Sequence, residues 1–99
     1  MIVKIGDKEI TLKFNFEAFT MFEKAYGHSL DAPGLQETID FIFFTIVGSS
    51  RDYSIKYEEY RDWLNENPEK FTEISQWIAD NMDLNDVLAG SKKTKQVKQ

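Results

Sequence analysis

The chain has 99 residues, room for a single domain and little more. Its apolar fraction of 41%, with eight Phe, four Tyr and two Trp, is too bulky for a disordered polymer. The absence of cysteine excludes a disulfide scaffold and thiolate chemistry, and a single histidine removes the usual zinc ligand sets. The net charge of −5 is uneven, because residues 91–99 hold four lysines and no acid, leaving −9 on residues 1–90. An acidic body repels phosphates and argues against binding nucleic acid.

Residues 2–14 alternate apolar and polar side chains around Gly6-Asp7-Lys8, with Ile10, Leu12 and Phe14 on one face. Period two with a central turn predicts a β-hairpin packed on something else. The period then lengthens. Asn15 is a good N-cap, and Ala18, Phe19, Phe22, Ala25 and Tyr26 follow at helical spacing up to Gly27. A helix over 16–26 is predicted. Residues 28–34 read as a loop with a Pro33-Gly34 turn.

Leu35, Ile39, Ile42, Phe43 and Ile46 mark the next helix, with Phe41, Phe44 and Val47 on the neighbouring face. Its second half is apolar nearly all round, which implies burial on several sides or a partner. Gly48-Ser49-Ser50 reads as its end. A third helix is expected from near Ser54, lined by Tyr57, Tyr60 and Leu64 with Trp63 beside them. Asn67-Pro68 should close it and open a fourth, with Asn67 as cap. Phe71, Ile74, Ile78 and Met82 form the stripe of that fourth helix, with Trp77 on its edge. Leu84, Val87 and Leu88 suit a short last helix before Gly90. The expected fold is mainly α: an N-terminal β-hairpin on four or five short helices. The expected domain spans 1–90, and 91–99 reads as a basic, disordered tail.

Catalytic signals are weak. His28 and Ser29 are chain neighbours, a poor geometry for a nucleophile and its base. Glu58 and Glu59 point about 100° apart on a helix, which suits a solvated face. Asp80, Asp83 and Asp86 lack the alternate spacing, glycine and closing glutamate of a calcium loop. No catalytic residue, metal site or cofactor is therefore expected, and the chain reads as a binding protein rather than an enzyme. The apolar run 41–47 is far short of the ~20 residues a bilayer span needs, and no leader segment is visible, so no membrane contact is expected. Fourteen aromatics exceed what a small core absorbs, and Trp and Tyr favour interfaces. Phe41, Phe44, Trp63 and Trp77 are the candidate partner-binding residues, because each lies beside the main stripe of its helix. The same surplus makes a homo-oligomer an expectation.

The run Ile10-Thr11-Leu12-Lys13-Phe14-Asn15-Phe16, continuing to Glu23-Lys24-Ala25-Tyr26-Gly27, resembles the tail assembly chaperones of phages with long, non-contractile tails. In that family a strand ending in Leu-Lys-Phe precedes a helix closing on Glu-Lys and then Gly. Residues 55–64 (Ile-Lys-Tyr-Glu-Glu-Tyr-Arg-Asp-Trp-Leu) and Asn67-Pro68-Glu69 are similar to the helix pair that follows there. The likeness spans most of residues 2–88. It departs at Lys56, where a capping Ser or Thr is usual, and Ser54 is the expected substitute.

The resemblance implies a non-catalytic assembly factor that binds the tape measure protein, keeps it soluble and helps tail tube assembly. It implies action in the host cytoplasm and absence from the mature virion. It also implies a longer, frameshifted product that recruits the tail tube protein. Lys92-Lys93 is where A-rich slippery codons would lie. The alternative reading is an acidic nucleic-acid mimic that inhibits a basic host protein, which the −9 body would suit.

Overall fold

The computed structural model describes residues 1–50 and 52–81. Its elements are β1 (Ile2–Ile5), β2 (Lys8–Thr11), α1 (Phe16–Tyr26), α2 (Leu35–Ser49), α3 (Tyr57–Glu66) and α4 (Pro68–Asp80). The fold is mainly α with an N-terminal antiparallel hairpin. The fifth helix expected around Leu84, Val87 and Leu88, and the tail 91–99, lie outside the described residues.

The strands pair Ile2 with Thr11, Val3 with Ile10, Lys4 with Glu9 and Ile5 with Lys8. Gly6 takes a φ of 63°, as the first residue of a tight two-residue hairpin loop requires. Alternation puts Val3, Ile5, Ile10 and Leu12 on the inner face, all buried. They meet Ala18 and Phe22 of α1, Phe41, Ile42 and Ile46 of α2, Tyr60, Trp63 and Leu64 of α3, and Ile74 and Ile78 of α4.

The limits of α1 follow its local chemistry. Asn15 Oδ1 accepts from the Ala18 N–H at 2.8 Å, and Gly27 closes the helix at φ 76°, its N–H donating to the Glu23 carbonyl. Ala25 departs from its expected stripe and is exposed. Leu35, the first residue of α2, is 68% exposed, because packing on the core begins only a turn later at Ile39.

One of the next three boundaries falls where expected and two do not. Helix α2 ends within Gly48-Ser49-Ser50 as expected, at Ser49 with Ser50 as its C-cap. A Cβ at Gly48 would lie 2.2 Å from Asn15 Oδ1, so the glycine lets α2 pass against the cap of α1. Ser49 Oγ accepts from the Lys13 N–H at 2.9 Å, which fastens the same end of α2 to the strand exit. Helix α3 starts at Tyr57 and not near Ser54; Lys56 holds the cap position without any side-chain bond. Asn67 does not cap α4 with its side chain. Its Nδ2 donates back to the Trp63 carbonyl at 2.9 Å and so closes α3. Pro68 does take the first position of α4, where a missing N–H is harmless.

Candidate partner-binding surface

The four candidate aromatics fall into two networks on opposite flanks of α2. In the first, Phe41 lies 5.2 Å from Phe19 and 6.2 Å from Phe22 between ring centres. Phe19 neighbours Phe14, and Phe14 stacks on Trp77 at 5.2 Å. In the second, Phe43 contacts Phe44, Tyr57 and Tyr60, and Tyr60 leads to Trp63 at 6.3 Å.

Position beside the main stripe did not mean exposure. Phe41 is 2% exposed and Trp63 8%, and both belong to the core of this chain. Phe19 and Phe22 of α1 cover Phe41, and Trp63 packs beside Tyr60 of its own helix. A Trp63→Ala change would therefore disturb the fold as well as any interface. Phe44 and Trp77 are half-buried, packed on the core with one edge in solvent. The exposed large side chains are others: Phe16 at 70%, Leu35 at 68%, with Ile2 and Tyr53. Phe16 and Leu35 are the first residues of their helices, a signal available in the sequence but masked by their apolar character.

A cleft of about 240 Å³ opens between α2, α4 and the loop that joins α1 to α2. Leu30 and Pro33 of the loop, Phe41 of α2, and Ile78 and Ala79 of α4 make its walls predominantly apolar. The loop is clipped in place by Glu37, whose Oε1 accepts the Gly34 N–H at 2.9 Å and whose Oε2 lies 3.0 Å from His28 Nε2. His28 Nδ1 sits 2.8 Å from the Ser29 carbonyl, and the Ser29 hydroxyl donates to Glu23. The two side chains thus serve the loop and do not face each other. Contact with the Ser29 carbonyl, then with Glu37, raises the His28 pKa above its ordinary value.

Sequence reasoning missed a polar hub on the other flank. Asp40 accepts from Tyr26 on one oxygen, and from Tyr57 at 2.7 Å and Gln36 at 2.9 Å on the other. Arg61 Nη1 donates to the Tyr57 hydroxyl at 3.1 Å, and its guanidinium lies 5.8 Å from that ring's centre. The bond to Asp40 holds the neutral phenol of Tyr26 and pushes its pKa up to about 12. Tyr60 donates to the Ile39 carbonyl at 2.7 Å, and burial raises its pKa too. The pairs Gln36–Asp40 and Tyr57–Arg61 are four apart on their helices, the one visible hint of the hub.

Glu59, one of the adjacent acids on α3, pairs with Lys8 of β2 at 2.8 Å. That contact lowers the Glu59 pKa and raises that of Lys8. It joins the hairpin to α3, while Glu58 stays in solvent. Among the described residues, no helix is long and apolar enough to cross a membrane. Compared with known proteins, the chain matches no family model, no curated protein and no solved structure.

Proposed function

We propose that the chain is a phage tail assembly chaperone that binds the tape measure protein and keeps it soluble while the tail tube assembles. It acts by binding, without catalysis or a cofactor, in the cytoplasm of the host bacterium, and it leaves before the virion is complete. A longer, frameshifted form would recruit the tail tube protein. The observation that carries the reading is the pairing of acid-rich helices with apolar surface that the chain's own core leaves partly open. Phe44, Trp77 and the cleft at Phe41 and Ile78 are apolar contacts of the kind a client helix seeks. The surrounding acids would keep such a complex dispersed. The sequence likeness of residues 2–88 to the chaperone family supports the same reading. A nucleic-acid mimic would also be acidic, but it has no use for a hydrocarbon-lined cleft.

Co-expression tests the proposal. A tape measure protein from the neighbouring gene should be recovered in the soluble fraction with this chain and in aggregates without it. Aggregation in both cases would end the proposal. Phe44→Ala should lower the thermal midpoint somewhat, since the ring packs on the core, and should weaken recovery even at temperatures where the variant is fully folded.

A further inference from the structure

The hairpin keeps one strand edge open inside a groove. Its loop is the two residues Gly6-Asp7, so the pairs bonded across it are Ile5–Lys8, Val3–Ile10 and Met1–Leu12. The last is seen in the Leu12 N–H, which donates to the Met1 carbonyl at 2.8 Å. The alternate residues, Ile2 and Lys4 on β1 and Glu9 and Thr11 on β2, turn their backbone N–H and C=O groups outward. Those groups of Glu9 and Thr11 find no partner among the described residues. The next residue of the same parity is Lys13. Its N–H donates to Ser49 Oγ at 2.9 Å, and the Ser49 hydroxyl donates to the Thr45 carbonyl at 2.7 Å. A side chain of α2 thus stands where a neighbouring strand would, and it ends the free edge. Before that point the edge borders a polar hollow of about 210 Å³, whose other wall is Ser49, Ser50, Asp52 and Tyr53.

We propose that this groove takes one short extended segment of another polypeptide as a third strand, paired with Glu9 and Thr11 and stopped at Ser49. Free N–H and C=O groups at alternate residues of an edge are matched by another extended backbone. The groove favours a lone segment over a second copy of this chain. In a copy, the β2 edge lies within its own groove, and the β1 edge brings a folded body of four helices with it. The hollow has room for a short stretch of bare chain. Charge narrows the sequence of that segment. Glu9 and Asp52 outnumber Lys13 along the groove, and none of the three is ion-paired among the described residues. A lysine or arginine opposite Glu9 and a β-branched residue opposite Thr11 make favourable cross-strand pairs. Tyr53 lines the hollow and is 41% exposed, so ring area is open to the segment's side chains. The groove shares no residue with the apolar cleft, and the inference does not rest on the chaperone reading.

The probe is a short fluorescein-labelled peptide repeating lysine, threonine, valine, threonine, titrated with the full chain and read by fluorescence anisotropy. Two isomers carry N-methyl groups, one on the lysine and valine amides and the other on the threonine amides. Alternate amides of a strand face opposite ways, so one isomer should bind within about threefold of the parent and the other at least about tenfold more weakly. Thr11→Pro removes an outward N–H without touching a hairpin bond and should weaken the parent peptide at least about tenfold. Lys4→Pro makes the same change on the other edge and should shift binding by less than about threefold. Glu9→Pro repeats the block should circular dichroism show Thr11→Pro to fold poorly. Absence of binding by wild type, equal binding of the two isomers, or equal weakening by Lys4→Pro and Thr11→Pro would overturn the proposal. So would a wild-type oligomer that Thr11→Pro returns to monomer in sedimentation, since a second copy would then hold the edge. A tighter peptide complex after Lys92→Glu with Lys93→Glu would overturn it too, by assigning the edge to the chain's own basic end.

Discussion

On one flank of α2, Phe41 meets Phe19 and Phe22, and the chain of rings runs on through Phe14 to Trp77 with hydrocarbon contacts throughout. On the other, Phe43 meets Tyr57 and Tyr60, whose hydroxyls are bound to Asp40 and to the Ile39 carbonyl. The two flanks bury aromatic area of the same kind and differ in what fixes its orientation. Directional bonds hold α3 to α2 in one arrangement, because each misalignment would leave a polar group unmatched. Dispersion and burial hold α4 and the Phe19–Phe22 face of α1, whose far end alone is bonded, through Tyr26 to Asp40, and that flank is the one that opens into a cleft. Non-directional contacts let that flank give by small shifts where the bonded flank cannot.

The sharpest way to break this comparison is at Tyr60, which is wholly buried and belongs to the bonded flank. Tyr60→Ala should cost about 3–5 kcal/mol of unfolding free energy in a denaturant titration, the usual range for removing a buried ring. Tyr60→Phe keeps the ring and should still cost about 1 kcal/mol, since the Ile39 carbonyl loses its donor. A neutral Tyr60→Phe would mean that packing alone holds both flanks.

Asp40→Ala is the next largest test. It removes the acceptor shared by Tyr26, Tyr57 and Gln36 and should cost about 1–3 kcal/mol. The Tyr26 phenol should fall from about 12 toward its ordinary 10 in an ultraviolet titration. The sign follows from the raised value. The preference of the folded chain for the neutral phenol is complete below the unfolded pKa and disappears as pH rises through the folded one. No Asp40-dependent change in that titration would remove the hub from the account.

Gly48→Ala should act on the apolar flank, where Asn15 opens the helix that carries Phe19 and Phe22. Helix propensity alone predicts a gain of about 1 kcal/mol. The collision with Asn15 Oδ1 predicts a net loss of about 1–2 kcal/mol, through the cap and the crowding together. Combining it with Asn15→Ala should cost less than the sum of the two, because the cap is lost only once.

What the sequence disclosed was local. Asn15 caps, Gly27 ends and the alternation of Val3, Ile5, Ile10 and Leu12 each depend on a few neighbouring residues, and all appear where expected. Gly48 marks the end of α2 as expected, but its close approach to Asn15 left no local sign, because that side chain lies 33 positions earlier. Asn67 misled because two helices compete for one amide, and the Trp63 carbonyl, which also accepts the Asn67 N–H, holds it. The all-round apolar character of α2 left two explanations open, internal cover or a partner. Internal cover accounts for Phe41, whereas Phe44 is covered only in part. Of the candidate aromatics only Phe44 and Trp77 stay partly open, and the cleft arises where three distant segments meet and leaves no periodicity in the chain.

The smallest predicted effect lies on the loop that supplies Leu30 and Pro33 to that cleft. His28 is exposed and its pKa is raised, first by the Ser29 carbonyl and then by Glu37. A raised folded value means that the protonated imidazole is favoured by the fold. Its contribution is fully present below the unfolded pKa of about 6.5 and is lost as pH rises through the folded value. The loop carrying Leu30 and Pro33 should therefore hold slightly better in mild acid than at alkaline pH. Proton NMR of the ring should show a pKa above 6.5 in wild type, falling in Glu37→Gln. The same substitution weakens the charge that the Gly34 N–H meets at the start of α2, so the loop should loosen at every pH, with its pH dependence reduced. If Glu37→Gln leaves the His28 titration where it was, the ion pair is not what clips the loop, and the cleft owes its shape to Leu30 and Pro33 packing alone.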